Sequence, residues 1–151
     1  QELLIRPQDF DLVATTNLNG LFLESMALAQ VGSVGLAPNA YIGAKAAVFQ
    51  STPMPPPKPA NPEDENPIST LLCGVLLFDH LGWKDSAELV THSLVKTLTD
   101  GRATPDLARR LEGATAVSAT AFCEAIIENF EEVRKSRVRQ AIKRAASAGG
   151  S

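Results

Sequence analysis

Cysteine and histidine are scarce in this sequence, with two of each among 151 residues. Cys73 and Cys123 each lie inside an apolar run with helical spacing. That placement reads as two buried free thiols and speaks against a disulfide or a metal site. His80 falls at a helix end, where a histidine is structural or capping rather than a ligand, and His92 falls on the solvated side of an amphipathic stretch. An excess of one charge is lacking too. Lys and Arg number 14 against 17 Asp and Glu, net −3, which gives no field for nucleic acid as a bulk partner. No apolar run reaches the ~18 residues of a membrane span; the longest, Leu71 to Phe78, has the length of a core helix. No signal-peptide pattern follows Gln1.

What is present suits one domain with a real core. The organising stretch runs from Phe10 to Pro38. Leu12 to Thr16 has the pattern of a strand, Asn17 to Gly20 of a turn, and Leu21 to Val31 of a helix, broken by Gly32, Gly35 and Pro38. Further strands are expected at Ala40–Ile42 and Ala47–Ser51. The stretch resembles the β-decarboxylating dehydrogenases, the isocitrate and isopropylmalate dehydrogenases. Their pattern here is a strand, Thr-x-Asn-Leu-x-Gly, Asp-Ile-x-Ser-Asp opening a helix, then Gly-Gly-x-Gly-x-x-Pro. The resemblance covers Phe10 to Ile127 and corresponds to the last third of a family member. It implies an α/β fold, the C-terminal part of the family's architecture, with helices packed on a partial β-sheet; to this the sequence adds a long C-terminal helix that runs on past the point where family helices end. We divide the chain into a dehydrogenase-like region, 1–127, with a Pro-rich loop at 53–67, and a basic helical extension, 128–151.

Both aspartates of the family pattern are missing. In the family they stand four residues apart on one helix face and hold a hard divalent cation. Their positions here are Leu21, which cannot ligate, and Ser25, a weak neutral donor. Glu24 is acidic, but on a helix it lies ~100° away from Ser25 and restores no pair. The family's nucleotide loop has gone the same way. After Ala47-Val48-Phe49-Gln50, seven prolines fall between Pro53 and Pro67. They remove backbone donors and stiffen the loop into an extended connection or a docking strap. The following Glu63-Asp64-Glu65 reads as solvated. Asn66-Pro67 reads as a helix N-cap with proline at the first helical position. Asn66 and Asp106 match family positions that contact the cofactor, and they are its only remnants; we expect no metal and no nucleotide cofactor.

Ile68 to Leu81 is the expected core helix, and Gly82-Trp83 ends it in a family-like His80-to-Trp83 motif. Asp85 to Leu98 follows, with Ala87, Val90, Leu94, Val95 and Leu98 inward. Thr99 to Leu107 resembles the family's Gly-x-x-Thr-x-Asp-Leu turn and short strand, where Asp106 reads as a turn stabiliser. Ala108 to Val117 departs from the family as a small insertion. Ser118 is the expected N-cap of a last helix running to about Ala146, acidic at its start and basic at its end, with Glu131 and Lys135 paired at i, i+4.

The helix at 21–31 is apolar nearly all round and must be buried on several sides. In the family it forms a dimer interface, so Leu21, Phe22, Met26 and Ala29 are candidate interface residues. Arg137 and Lys143 represent the basic run 134–144, a candidate contact with an acidic protein, RNA or a membrane surface. In the family the strands here join a sheet completed by a preceding segment, so this chain is expected to pair with further polypeptide rather than stand as a lone monomer. The expectation is a catalytically inactive subunit of a mitochondrial multi-protein complex, of respiratory-chain, ATP synthase or ribosomal type. The alternative is a regulatory, non-catalytic subunit of an NAD-dependent isocitrate dehydrogenase.

Overall fold

The computed structural model describes residues 1–31, 36–51 and 61–148, with side chains of the last helix described to residue 139. The breakers Gly32 and Gly35 and the prolines from Pro53 to Pro59 lie outside the described residues, as does the side chain of Lys143. In order, the elements are α1 (Glu2–Ile5), α2 (Asn17–Val31), β1 (Pro38–Ile42), β2 (Ala47–Ser51), α3 (Ile68–His80), α4 (Lys84–Thr99), β3 (Arg102–Ala103), α5 (Pro105–Ala108), β4 (Thr115–Ala116) and α6 (Ala119–Ala148). β1 and β2 form an antiparallel hairpin in which Pro38 pairs with Ser51 and Ile42 with Ala47. β3 and β4 form a two-residue parallel pair.

The core is helical. α4 packs between α3 and α6, and the hairpin lies on α3. Ile68, Leu94, Ala103, Leu107, Phe122 and Ile126 make one buried cluster. The Ser69 hydroxyl donates to the Ala37 carbonyl at 2.5 Å and ties α3 to the entry of β1. The last helix starts where expected, since the Ser118 hydroxyl accepts from the Ala121 N–H at 3.2 Å. Among the described residues no helix is long and apolar enough to cross a membrane.

The His80-to-Trp83 motif is a Schellman stop. Gly82 takes the left-handed φ of 79° that a side chain disfavours. Its N–H bonds the Asp79 carbonyl at 3.1 Å and the Trp83 N–H bonds Phe78 at 2.8 Å. The accompanying apolar contact is Trp83 stacked on Phe78, with ring centroids 5.8 Å apart. Behind it, His80 packs its ring against Phe49 of β2, a structural role.

Several expectations are corrected. Leu12–Thr16 is not a strand: no described segment pairs with it, and Leu12 is 82% exposed. An apolar alternation supplies one side of a ladder, and a strand needs both. Asn17–Gly20 is not a turn but the first turn of α2, closed by the Gly20 N–H to the Thr16 carbonyl at 2.8 Å. Glycine suits that position because a Cβ there would press on Thr15 Cγ2 at 3.3 Å. On α4, Val95 faces solvent, while Ser93 and Thr97 are fully buried. The inward stripe steps by three and four residues from Ala87 to Leu94 and Thr97, which leaves position 95 outside it. Cys73 is buried, but Cys123 is only half-buried; both thiols are free.

Candidate functional site

Asn66 and Asp106, which the resemblance matches to cofactor-side positions, meet. Asn66 precedes α3, and Asp106 sits in the single turn of α5, forty residues away. The Asn66 carbonyl oxygen accepts from the Ile68 N–H at 2.9 Å, which is the expected cap. Its amide nitrogen donates to Asp106 Oδ2 at 2.9 Å. The other carboxylate oxygen of Asp106 accepts from the Thr104 hydroxyl at 2.6 Å. Thr104 is fully buried and was missed in the sequence; the signal was the Thr-Pro-Asp order, with a hydroxyl two residues before a carboxylate at a helix start. Asn66 is thus committed at both ends of its amide, and the trio clips α3 to α5. Asp106 does more than hold its own turn.

The metal positions do not fit a divalent cation. Leu21 offers no donor atom and is 51% exposed. The Ser25 hydroxyl is turned along the helix and donates to the Leu21 carbonyl at 2.8 Å. A hard dication needs several oxygen donors, preferably charged, and this pair supplies one neutral hydroxyl already engaged. The same helix is open to solvent: Leu18 is 66% and Phe22 62% exposed, Ala29 is exposed, Met26 is half-buried, and Leu28 alone is buried.

A groove of about 1070 Å³ runs between α4 and α6. Its walls carry charges that already pair with one another. Arg137 donates to the Asp85 carboxylate and carbonyl, each at 3.1 Å, and also to Glu88. Lys96 lies 3.1 Å from Asp100 and 3.4 Å from Glu132. The hydrogen bond that the Lys96 ammonium donates to the Asp100 carboxylate raises its pKa above the ordinary value. Arg137, a candidate contact residue in the sequence, is therefore engaged within the chain, where it fastens α6 to the start of α4. His92 is exposed at the groove, as expected, with its ring nitrogen on the Glu88 carbonyl at 2.8 Å.

The fold is an α/β scaffold with a long last helix, and its likeness to known proteins names the family. The isocitrate/isopropylmalate dehydrogenase family model matches residues 1–126. The chain is 36% identical over 133 residues to an NADP isocitrate dehydrogenase of Haloferax volcanii, covering 88% of this chain and 32% of that protein. It is 40% identical over 133 residues to the Staphylococcus aureus NADP isocitrate dehydrogenase, covering 87% and 32%. A solved structure of a Thermus thermophilus protein is similar with a TM-score of 0.75 and 32% identity, over 85% of this chain and 26% of that one. This chain belongs to the isocitrate/isopropylmalate dehydrogenase family. It spans about a third of the length of these curated relatives, and the match includes the lead-in residues 1–9.

Proposed function

We propose that this chain is a dehydrogenase-derived subunit with no dehydrogenase chemistry of its own, serving as an interaction element in a larger protein assembly. The observation that carries the reading is α2. Where the family presents two carboxylates, this helix presents Leu21 and a self-bonded Ser25, and it turns Leu18, Leu21 and Phe22 to solvent. A partner that covers those side chains gains about 25 cal/mol for each Å² of apolar surface taken out of water. The test is native purification through a C-terminal tag, with mass spectrometry of the associated chains and an assay of the assembly for isocitrate- or isopropylmalate-dependent NAD(P)H formation with Mg²⁺ or Mn²⁺. The expected result is a stoichiometric complex without such activity, recovered from a mitochondrial fraction. Activity that disappears when this chain is mutated would overturn the proposal.

The Asn66–Asp106–Thr104 clip favours a second reading, in which the chain is a regulatory subunit of an NAD-dependent isocitrate dehydrogenase. The reading is supported by the bonds that join Asn66, Asp106 and Thr104, of which the first two residues match cofactor-side positions by the resemblance. Stoichiometric recovery with a catalytic isocitrate dehydrogenase subunit would select this reading.

A further inference from the structure

The outer face of α6 has a charge pattern that the family match does not account for, and two of its residues, Arg134 and Val138, also border the groove. The helix buries Phe122, Ala125, Ile126, Asn129 and Val133. At 100° per residue the opposite face is centred on Glu131. Two large apolar side chains lie on it uncovered, Ile127 at 62% and Val138 at 55% exposed. Between and beside them the charges are sorted by sign along the axis. Glu124, Glu128 and Glu131 come first, then Arg134, Lys135 and Arg139, all exposed. The family match ends at residue 126, so most of this face lies beyond it.

We propose that this face is a self-pairing surface through which two copies of the chain dock with their α6 helices antiparallel. A helix that is acidic in one half and basic in the other is complementary to itself when reversed. One register satisfies both kinds of contact. With Ile127 of each copy opposite Val138 of the other, Glu131 of each falls opposite Arg134 of the other. Glu128, Lys135 and Arg139 share one flank of the face, and a two-fold axis brings like flanks together. In this register Glu128 lies within two residues, roughly 3 Å along the axis, of both basic residues on the other copy. The apolar pair thus forms two symmetric layers bracketed by ion pairs.

The present partners of these charges do not block the pairing. Glu131 pairs with Lys135 on its own helix at 3.3 Å, and Glu128 with Arg102 at 3.0 Å, and each acid remains more than two-thirds exposed. Such exposed pairs are exchanged at little cost. A polyanion is the competing occupant for the basic half. The acidic half of the same face would repel it within the first two turns, whereas a second copy uses both halves.

The experiment measures self-association of the purified full chain by sedimentation equilibrium at about 0.05 and about 0.5 M salt, where screening differs most for exposed charges. Two variants reverse one half each: Glu128→Lys with Glu131→Lys, and Arg134→Glu with Lys135→Glu. The parent is expected to associate, and more weakly at high salt. Each variant alone should weaken association at least about tenfold, because its reversed half then faces a native half of the same sign. An equimolar mixture should restore it, because reversed half meets reversed half and native half meets native half with opposite signs in both. Circular dichroism confirms that both variants remain helical. Independently of charge, in a Cys123→Ser background, Ile127→Cys on one copy should cross-link to Val138→Cys on another. A parent that stays monomeric, variants that associate as the parent does, or cross-linking of Ile127→Cys to itself would each overturn the proposal. So would a monomeric parent that binds a single-stranded RNA oligomer through the basic half. None of these outcomes depends on whether the chain has dehydrogenase activity.

Discussion

Asn66 serves two elements with one amide. Its oxygen closes the start of α3 and its nitrogen reaches Asp106, which the Thr104 hydroxyl orients. Asn66→Ala removes the cap, worth about 1 kcal/mol, and deprives Asp106 of a half-buried donor, for a total of about 1–3 kcal/mol. In a chain of this size the expected result is a fall in Tm of roughly 3–10 °C, measured by thermal denaturation; an unchanged Tm would refute the clip. The cap was legible in the sequence because a cap is local: Asn, then Pro, then an apolar run. The bond to Asp106 was not, because nothing local marks a partner forty residues away. Thr97 and Val95 illustrate the same limit. Hydrophobicity alone points Val95 inward, yet the buried position goes to Thr97, whose hydroxyl donates to the Ser93 carbonyl and accepts from the amide of Asn129 on α6. Burial of a hydroxyl is acceptable once both of its bonds are made, and that partnership is tertiary information.

At the scale of elements, the helix ends were the most legible feature. Ser118, Gly82 and the Asn66-Pro67 start each mark their boundary through side chains or φ angles that act within a few residues. The start of α6 has a second cap, from an acid whose sequence context suggests only a solvated side chain. Glu63, in the 3-10 turn Pro62–Asp64, accepts from both the hydroxyl and the N–H of Thr120, at 3.1 and 3.3 Å. It is exposed, yet bonded across 57 residues of sequence. The Thr120 hydroxyl, then its N–H, hold the Glu63 carboxyl below the usual carboxylate range. A carboxyl whose pKa is lower in the folded chain than in the unfolded one stabilises the fold when ionised. That stabilisation is complete above the unfolded value, near pH 4.3, and is lost as the pH falls through the folded value. Glu63→Gln should therefore be less stable than the parent at neutral pH, with the gap closing as the solution is acidified through the carboxylate range. Urea denaturation of both proteins at a series of pH values checks this; a gap that is constant with pH would mean that the Glu63 carboxylate is not the cap.

For the molecule as a whole, the expected α/β fold stands, but its weight is unevenly distributed. α3, α4, α6 and the short segments between them hold the buried cluster, while α2 contributes Leu28 alone to the buried set. The helix itself was legible from its composition; its exposure was not, because an all-apolar helix announces that it must be covered without saying by what. Leu12–Thr16 fails as a strand for the related reason that pairing belongs to two segments. Local stability follows burial, so a helix with one buried residue opens at low free energy while the packed helices open only with the whole domain. In the isolated chain, amide hydrogen exchange should be much faster in α2 than in α3 or α6, even though all three are fully hydrogen-bonded helices. The partner proposed to sit on Leu18, Leu21 and Phe22 would add its binding free energy to the closed form of α2, and on that proposal exchange there should slow in the purified assembly by at least about a hundredfold while α3 changes little. Equal protection of α2 in both states would mean that the assembly leaves this face bare and that the apolar replacement at position 21 serves something other than contact.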